Sequence, residues 1–349
     1  MKDVKAMPAR LEGFLAAVEP GRRAQVTSYE LITGGYSRVM ARACVVWDDG
    51  TTETLVLRGD PPPAETLIDS DRDAEWRLLQ ALHATGGVAV PEPRWYEANG
   101  THLGTKCIVM EGCPGPQMHS TLTESEDLRP AADEFVDTLA TIHAVDLASL
   151  PGEMPRPTDW ASYLDDKIRL WTDTEAGLPD CNPVLRYVAA WLRANRPPEA
   201  PLVLVHGDPQ PSNIVLDERR GHVVVDWEFA RIGDPREDLG YYLSYSQSVG
   251  PSLYSFDPEA FLARYRRRTG LSAAQVNQAT VGYFSLIATL STMATIMNGV
   301  AAMAGGATGG TMVTYNINAI GYMNSKWLET SEALTEPLAA LRRTAGASQ

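Results

Sequence analysis

The stretch from Leu202 to Gly240 constrains the fold of this 349-residue chain more than any other. It opens with four apolar residues, Leu202–Val205, which predict a short buried strand. A loop with two prolines follows, and a helix is excluded there because proline cannot donate a backbone hydrogen bond. Two further apolar runs, Ile214–Leu216 and His222–Val225, flank a polar turn at Glu218–Gly221 and therefore predict a β-hairpin.

The predicted hairpin gathers oxygen-bearing side chains at one end of a small sheet. Asn213 precedes the first hairpin strand and Asp226 ends the second, so these two side chains can meet, and Asp208 lies in the loop just before them. Carboxylate and amide oxygens suit Mg²⁺ rather than zinc, and such a site takes substrate phosphates to complete its coordination. The alternative interpretation is that the three side chains only cap turns, as Asp and Asn often do.

Four motifs follow one another in an order that gives the stretch a family resemblance. They are His206–Asp208, Asn213, Asp226–Glu228 and Asp238–Leu239. Each motif is weak alone, but their order, spacing and strand context agree. The arrangement resembles the aminoglycoside phosphotransferase and choline kinase family of small-molecule kinases, which are relatives of the protein kinases.

The resemblance implies a fold and a set of roles. The fold is α+β and bilobal, like that of a protein kinase, with a small antiparallel-sheet N-lobe at residues 1–112 and a larger, mostly helical C-lobe at 113–349. Asp208 would be the catalytic carboxylate that accepts the proton of the substrate hydroxyl. Asn213 and Asp226 would hold Mg²⁺, since this chemistry depends on positioning and charge neutralisation.

Neighbouring polar residues are assigned supporting roles or are left open. For His206 and Asp238 we favour a hydrogen-bonded scaffold that orients the loop. Glu228 either contacts the metal or is simply solvated. His143 is predicted to be a packed structural histidine rather than a catalyst.

The first hundred residues predict a small antiparallel sheet with a glycine-rich first turn. The strand patterns are Tyr29–Ile32, Val39–Trp47 and Thr54–Arg58. Gly34 and Gly35 allow the backbone to come close to phosphates, and Ser37 can donate a hydrogen bond to one. A glycine pair alone is usually an ordinary turn, but the resembled family has a nucleotide-covering loop at this position.

The third strand departs from the family's pattern. That pattern has a lysine near the strand end to hold the nucleotide's α- and β-phosphates, whereas this chain has Arg58. A guanidinium fork matches phosphate, but the exchange is not conservative and leaves nucleotide affinity and preference open. The alternative is a surface arginine at a strand end. By the family's pattern Glu75, within a helix predicted at Ser70–Ala84, pairs with this cation, and Asp71 and Asp73 are its rivals.

The resemblance also implies a hinge between the lobes and a set of cofactors. Met110–Gly112 occupies the hinge position, where backbone groups around Glu111 would hold the adenine edge. The implied cofactors are ATP, with GTP left open, and Mg²⁺.

Composition excludes several classes of partner. The net charge of −14 argues against nucleic acid and anionic membranes. The four cysteines form no C-x-x-C pair, which predicts reduced thiols in a cytoplasmic protein. The first twenty residues lack the apolar core and cleavage site of a signal peptide and predict a short amphipathic helix.

A long uncharged run lies between Arg268 and Lys326. Within it Val281–Ala304 is long enough to span a membrane. Interspersed hydroxyl and amide side chains, and the lack of a basic flank, favour a helix buried inside the protein. The run could also form a homodimer interface, so the oligomeric state is left open.

These observations predict an ATP-dependent kinase that transfers the γ-phosphate to a hydroxyl of a small molecule. The uncharged run offers no carboxylates to a polycation, which favours a partly apolar alcohol such as a hydroxyacyl thioester. Asp234, Glu237 and the acidic pair at 165–166 keep an aminoglycoside acceptor open. The alternative function, motivated by Arg58, is a nucleotide-binding regulatory pseudokinase without transfer activity.

Overall fold

The computed structural model of the protein describes residues 1, 3–32, 39–61, 71–123, 125–178, 182–246, 252–304 and 311–346. The chain forms two compact units. Unit 1 comprises Met1–Ser120, Ala148–Met154 and Ser212–Phe229, and unit 2 comprises Thr121–Leu147, Pro155–Pro211 and Ala230–Gln349. The sequence-based lobe boundary at residue 112 stays a prediction.

Unit 1 is built on a five-stranded antiparallel sheet in the order β1-β2-β3-β5-β4. The strands are β1 Ala24–Ile32, β2 Val39–Trp47, β3 Thr52–Gly59, β4 Pro93–Glu97 and β5 Cys107–Glu111. Alternate residues of a strand point to opposite faces. One face, which includes Leu55 and Leu57, forms a buried cluster with helix α1, Met7–Val18. Arg58 therefore points to the opposite face.

Helix α2, Arg72–Thr85, carries the carboxylates predicted to meet that arginine. The Asp71 side chain caps it by accepting a hydrogen bond from the amide of Ala74 at 3.0 Å. Gly86 ends the helix in the left-handed conformation with φ 65°. The predicted helix, Ser70–Ala84, is confirmed to within two residues.

The predicted hairpin is also present in unit 1. Its strands are β7, Ile214–Asp217, and β8, Gly221–Val224, paired so that Ile214 lies opposite Val224. The Asp217 carboxylate builds the turn by accepting hydrogen bonds from the amides of Arg219 at 2.9 Å and Arg220 at 3.0 Å.

Unit 2 is mostly helical, as the resemblance implies. The remaining helices are α3 Met118–Leu122, α4 Arg129–His143, α5 Trp160–Ala176, α6 Pro183–Ala194, α7 Arg236–Ser246, α8 Leu253–Phe256, α9 Pro258–Thr269, α10 Gln278–Ala304 and α11 Thr311–Gly346. A short antiparallel ladder joins β6, Val203–Val205, to β9, Arg231–Gly233.

The core of unit 2 lies among α5, α6, α10 and α11. The rings of Trp171 and Trp327 meet edge to face there at 4.8 Å between centroids. The first half of α10 is buried almost continuously from Thr280 to Ile287. Within the described ranges, no helix combines the length and apolarity needed to cross a membrane.

One predicted boundary is wrong. The pattern from Glu124 to Val145 predicts one long helix, but α4 begins at Arg129 and ends at His143. Pro130 stands in its first turn, where a proline needs no amide hydrogen and commonly starts a helix.

Helix α7 packs against α10 through a glycine. A Cβ added at Gly240 would lie 2.5 Å from the backbone atoms of both Phe284 and Ser285. The Ser244 hydroxyl, one turn further, lies 3.3 Å from the Ser285 carbonyl. The two helix backbones are therefore as close as a glycine allows.

We expect Gly240→Ala to lower the free energy of unfolding by about 1–3 kcal/mol, because the new methyl group must push α7 away from α10. Gly321→Ala on α11 is the matched control, since a Cβ there meets nothing within 4 Å. The control should gain about 0.5–1 kcal/mol from helix propensity. Urea unfolding of both variants measures this, and equal midpoints would contradict the close packing.

Candidate active site

The loop after β6 carries Asp208 in unit 2. Gly207, between His206 and Asp208, has φ 85°, a backbone conformation that side-chain-bearing residues rarely adopt. The glycine of the H-G-D motif is thus required by the sharp turn that follows the strand.

The carboxylate of Asp238, near the start of α7, holds this loop in place through hydrogen bonds. It accepts hydrogen bonds from the backbone amides of His206 at 2.8 Å and Gly207 at 2.9 Å. Its Oδ2 also lies 3.0 Å from Nε2 of His143, whose Nδ1 lies 2.5 Å from the Tyr265 hydroxyl. These geometries agree with the scaffold role predicted for His206, Asp238 and His143.

Asp238 is ionised in a fully buried place. Burial alone would raise the pKa of its carboxyl, but the hydrogen bond from His143 and the charges of His143 and His206 hold that pKa below its ordinary value. The loop is therefore held by charge-assisted hydrogen bonds, which are stronger than neutral ones.

Asp208 has two polar partners within unit 2. The side-chain amide of Gln210 and the hydroxyl of Tyr241 both donate to its carboxylate. Burial, followed by the charge of Asp208, raises the pKa of Tyr241 well above its ordinary value, so this hydroxyl stays a donor. No motif marks Gln210 or Tyr241, and only the position of Tyr241 three residues after Asp238 in the same helix hints at proximity.

In unit 1 the hairpin pairs Asn213 with Val225, the residue before Asp226. The amide of Val225 donates to the Asn213 carbonyl at 2.9 Å, which extends the register of β7 and β8 by one residue. Asp226 itself has φ 69°, the only positive value among the described residues other than glycine. Such a conformation costs of order 1 kcal/mol.

Arg58 lies within a cluster of carboxylates in unit 1. Its Nε lies 2.9 Å from Glu75, and its Nη2 contacts Asp226 and lies 3.5 Å from Glu228. The Arg58 side chain is 2% exposed, so the alternative of a surface arginine is wrong. Burial alone would lower the pKa of Arg58, but the charges of Asp226, Glu75 and Glu228 raise it above its ordinary value.

A second arginine, absent from the sequence-based assignment, completes the cluster. Arg72 is fully buried and contacts Glu75, and its Nη2 lies 3.0 Å from Asp60. A salt bridge between residues three apart at a helix start usually predicts a surface pair. Only long-range packing shows that this one is buried.

The rivals of Glu75 have other partners. Asp71 caps α2, and Asp73 lies 2.5 Å from Lys106 and 2.7 Å from the Tyr96 hydroxyl. Glu228 is 2% exposed, so the alternative that it is merely solvated is wrong.

Glu111 ends β5 in unit 1. Its amide donates to the carbonyl of Glu92 at 2.9 Å, and the amide of Gly112 donates to Thr54 at 2.8 Å. The Glu111 carboxylate pairs with Arg220 at 2.8 Å. Both amides are thus engaged within the protein, and contact of Glu111 with a nucleotide stays a prediction.

Some predicted residues lie outside the described part of the chain. These are Gly34, Gly35 and Ser37 of the glycine-rich turn, and Cys181. The cysteines that are described, Cys44, Cys107 and Cys113, are free thiols.

The chemistry of the donors in unit 1 fits a divalent cation. Among described residues no three His, Cys, Asp or Glu side chains form a ready metal site. Mg²⁺, however, binds through one or two protein oxygens and keeps waters or phosphates as further ligands. The amide of Asn213 and the carboxylate of Asp226 have the chemistry of such a pair, and their metal-binding role stays a prediction.

Comparison with known proteins identifies the family. The sequence profile of the phosphotransferase enzyme family matches residues 30–276. The chain belongs to this family. Its α+β, protein-kinase-like fold and the resemblance inferred from sequence are thereby confirmed.

Curated relatives match the chain over part of their length. Acyl-CoA dehydrogenase family member 11 of Rattus norvegicus is 27% identical over 246 residues, which cover 68% of this chain and 30% of the relative. The Homo sapiens protein of that name is 30% identical over 199 residues, which cover 54% and 25%. The chain therefore spans less than a third of these relatives.

Solved structures share the fold. A putative aminoglycoside phosphotransferase from Ralstonia eutropha superposes with a TM-score of 0.67 at 19% identity, over 93% of this chain and 98% of the other. A thermostable mutant of aminoglycoside phosphotransferase APH(4)-Ia, in complex with ADP and hygromycin B, gives 0.61 at 16% identity, over 92% and 98%. At these identities the likeness establishes the fold alone.

We expect Asp238→Asn to lower the free energy of unfolding by about 3 kcal/mol at neutral pH, because the new amide directs a donor at the backbone amides of the loop. The pKa of Asp238 is lowered in the folded protein, so its contribution is full above the unfolded-state value near 4 and fades as pH falls through the folded-state value. The difference between variant and wild type should therefore shrink in acid.

The control is Asp257→Asn, because Asp257 is an exposed helix cap and asparagine caps equally well. Urea unfolding of the three proteins between pH 3 and 7 measures both effects. An Asp238 variant as stable as the control at pH 7 would contradict the scaffold role.

Proposed function

We propose that the chain is an ATP-dependent, Mg²⁺-requiring kinase that phosphorylates a hydroxyl of a partly apolar small molecule. The observation that carries the proposal is the contact of the buried Arg58 with both Glu75 and Asp226, in a hairpin whose Asn213 pairs with Val225, the residue before Asp226. Membership of the phosphotransferase family supports it.

Each residue has a role that its surroundings allow. Asp208 accepts the proton of the acceptor hydroxyl, and the donors Gln210 and Tyr241 orient its carboxylate. Asn213 and Asp226 hold Mg²⁺, which neutralises phosphate charge when bound.

The nucleotide is held by groups of unit 1. Arg58 reaches the phosphates, and Glu75 fixes its guanidinium. Gly34, Gly35 and Ser37 cover the phosphates, and Glu111 marks the hinge. The ADP complex of the fold relative supports a nucleotide donor, which we take to be ATP with GTP as the second choice.

A cavity in unit 2 suits the apolar part of an acceptor. It has a volume of about 620 Å³ and is lined by α7, α8, α10 and α11. Its lining includes apolar side chains and hydroxyl groups, among them Leu286, Met323, Trp327, Ser244 and Ser285. Ser244 lies about one helical turn from Tyr241, a partner of Asp208, so the cavity begins close to the catalytic loop.

Two of the carboxylates that kept an aminoglycoside acceptor open, Asp234 and Glu237, are buried and paired, whereas the pair at 165–166 is exposed. Asp234 is fully buried against Arg236, and Glu237 is buried against Lys167 and Arg231. Burial, followed by the charge of Asp238, raises the pKa of Glu237 well above its ordinary value. Neither group is placed to attract a polycation.

A hydroxyacyl thioester is the acceptor that we would test first. The cavity is amphipathic, and the curated relatives are named acyl-CoA dehydrogenase family members. A cytoplasmic location, without nucleic-acid or membrane partners, is part of the proposal, and the oligomeric state, including a homodimer, is open.

One observation favours a second candidate function, nucleotide binding without transfer. Arg58 contacts Asp226, the proposed metal ligand, directly. If that contact persisted with nucleotide bound, it would weaken metal binding at this carboxylate, as expected for a regulatory pseudokinase.

Purified protein with Mg²⁺ and ATP or GTP should consume nucleotide in the presence of one acceptor class, tested among hydroxyacyl thioesters, amino alcohols and aminoglycosides. Asp208→Asn should lower turnover by about a hundredfold to ten-thousandfold, because the proton acceptor is lost, while nucleotide binding measured by thermal shift is kept.

Asp127→Asn is the control for this variant, since Asp127 is exposed and pairs only locally with Arg129. Undiminished turnover in Asp208→Asn would exclude Asp208 as the base. An ATP- and Mg²⁺-dependent thermal shift without turnover on any acceptor would favour the pseudokinase.

We further expect Thr330→Trp, which narrows the cavity, to raise the KM of the best apolar acceptor by at least about tenfold, since one or two lost methylene contacts have that effect. The KM for ATP should not change. Glu332→Trp is the matched control, because Glu332 is exposed on the same helix and is not part of the cavity lining. Equal acceptor KM values for both variants would place the acceptor elsewhere.

A further inference from the structure

We propose that Arg58 withholds Asp226 from divalent metal in the nucleotide-free protein and releases it only when phosphates draw the guanidinium tip away. The inference rests on the proposed roles of Asp226 and Arg58. It predicts an order of binding: the metal binds tightly when it arrives together with the nucleotide, and weakly to the protein that has no nucleotide bound.

Different nitrogens of the Arg58 guanidinium contact different carboxylates. Nε lies 2.9 Å from Glu75 on α2. Nη2 contacts Asp226 Oδ1 and lies 3.5 Å from Glu228 Oε1. The inner nitrogen thus pairs with the helix, and the outer nitrogen occupies an oxygen of the proposed metal ligand.

A metal ion and this nitrogen compete for the same carboxylate oxygen. Mg²⁺ binds oxygen at about 2.1 Å. A cation there would stand within about 5 Å of Nη2, and water screens the two charges only in part, because the side chains of Arg58 and Asp226 are 2% and 24% exposed. Repulsion between the two cations therefore weakens metal binding for as long as Arg58 stays in place.

The described cluster is short of positive charge, so it has room for a cation once Arg58 moves. The guanidinium groups of Arg58 and Arg72 stand against four carboxylates, Asp60, Glu75, Asp226 and Glu228, a formal charge of −2. One divalent cation would therefore neutralise the formal charge of the cluster.

Glu75 and Arg72 can keep their positions when the guanidinium tip of Arg58 moves. Glu75 is held from a second side by Arg72, which is fully buried and contacts Asp60 through Nε at 3.1 Å and Nη2 at 3.0 Å. The pair formed by Arg58 Nε and Glu75 can therefore act as a pivot. The side-chain tip can turn to phosphate oxygens, which match its fork better than two separate carboxylates do.

The test is to measure Mn²⁺ binding to the nucleotide-free full chain. The electron paramagnetic resonance signal of free Mn²⁺ reports how much of the metal remains unbound. Arg58→Met should bind Mn²⁺ at least tenfold more tightly than wild type. Asp226→Asn in the same background should remove that gain, because the freed ligand is lost.

Arg72→Met is the matched control. It removes one buried positive charge from the same cluster, but Arg72 contacts Glu75 and Asp60. Its Mn²⁺ affinity should stay within about threefold of wild type. An equal gain in both variants would overturn the proposal, because the effect would then come from net charge and not from the contact with Asp226.

Arg58→Lys is a second variant, to be used if circular dichroism shows that Arg58→Met does not fold. Lysine keeps the charge but ends one bond short of the position of Nη2, so an ammonium that pairs with Glu75 no longer occupies Oδ1 of Asp226. It should also gain Mn²⁺ affinity, and no gain in any folded Arg58 variant overturns the proposal. If wild type phosphorylates an acceptor but no Arg58 variant gains Mn²⁺ affinity, the inference about Arg58 is refuted and the proposed kinase function stands. If the Arg58 variants gain Mn²⁺ affinity but wild type phosphorylates no acceptor, the inference is supported and the proposed kinase function is not.

Discussion

A single buried carboxylate holds in place the loop of unit 2 that carries Asp208. Asp238 accepts hydrogen bonds from two consecutive backbone amides, and His143, supported by Tyr265, supplies the charge-assisted contact that keeps it ionised. A loop that turns through a left-handed glycine has no regular secondary structure to hold it. The side chain of a neighbouring helix takes over the role that a strand ladder would otherwise have, and Asp208 takes its position from that support.

Unit 1 meets a different physical problem, which is to keep several carboxylates close together, two of them, Glu75 and Glu228, almost fully buried. Isolated buried charges cost several kcal/mol each, so each must find a partner. Two arginines on β3 and α2 supply the partners, and each contacts more than one carboxylate. Lysine has one ammonium in place of the guanidinium fork, so it could not offer separate nitrogens to Glu75 and Asp226.

The hairpin and α2 were predictable from sequence because their signals are local. Apolar runs flank a turn in the first, and a capping aspartate and a glycine mark the ends of the second. The choice of Glu75 over Asp71 and Asp73 rested on the family's pattern, and the structure shows why the rivals are engaged elsewhere: one caps the helix and the other pairs with Lys106.

What the sequence did not reveal depends on long-range packing. The burial of Arg72 and Glu228, the contacts of Gln210 and Tyr241 with Asp208, and the positive φ of Asp226 have no local signature. The late start of α4 was different, since Pro130 marks it locally.

The shared partners of Arg58 also tie several positions of the chain together in evolution. A change to lysine at position 58 gives up the guanidinium fork, so the contacts that Arg58 makes with Glu75, Asp226 and Glu228 must be remade by one ammonium. Asp226 and Glu75 have little freedom if they serve metal and nucleotide, so the adjustment falls on Asp60, Arg72 and Glu228. Across related sequences, arginine or lysine at position 58 should therefore covary with these three positions.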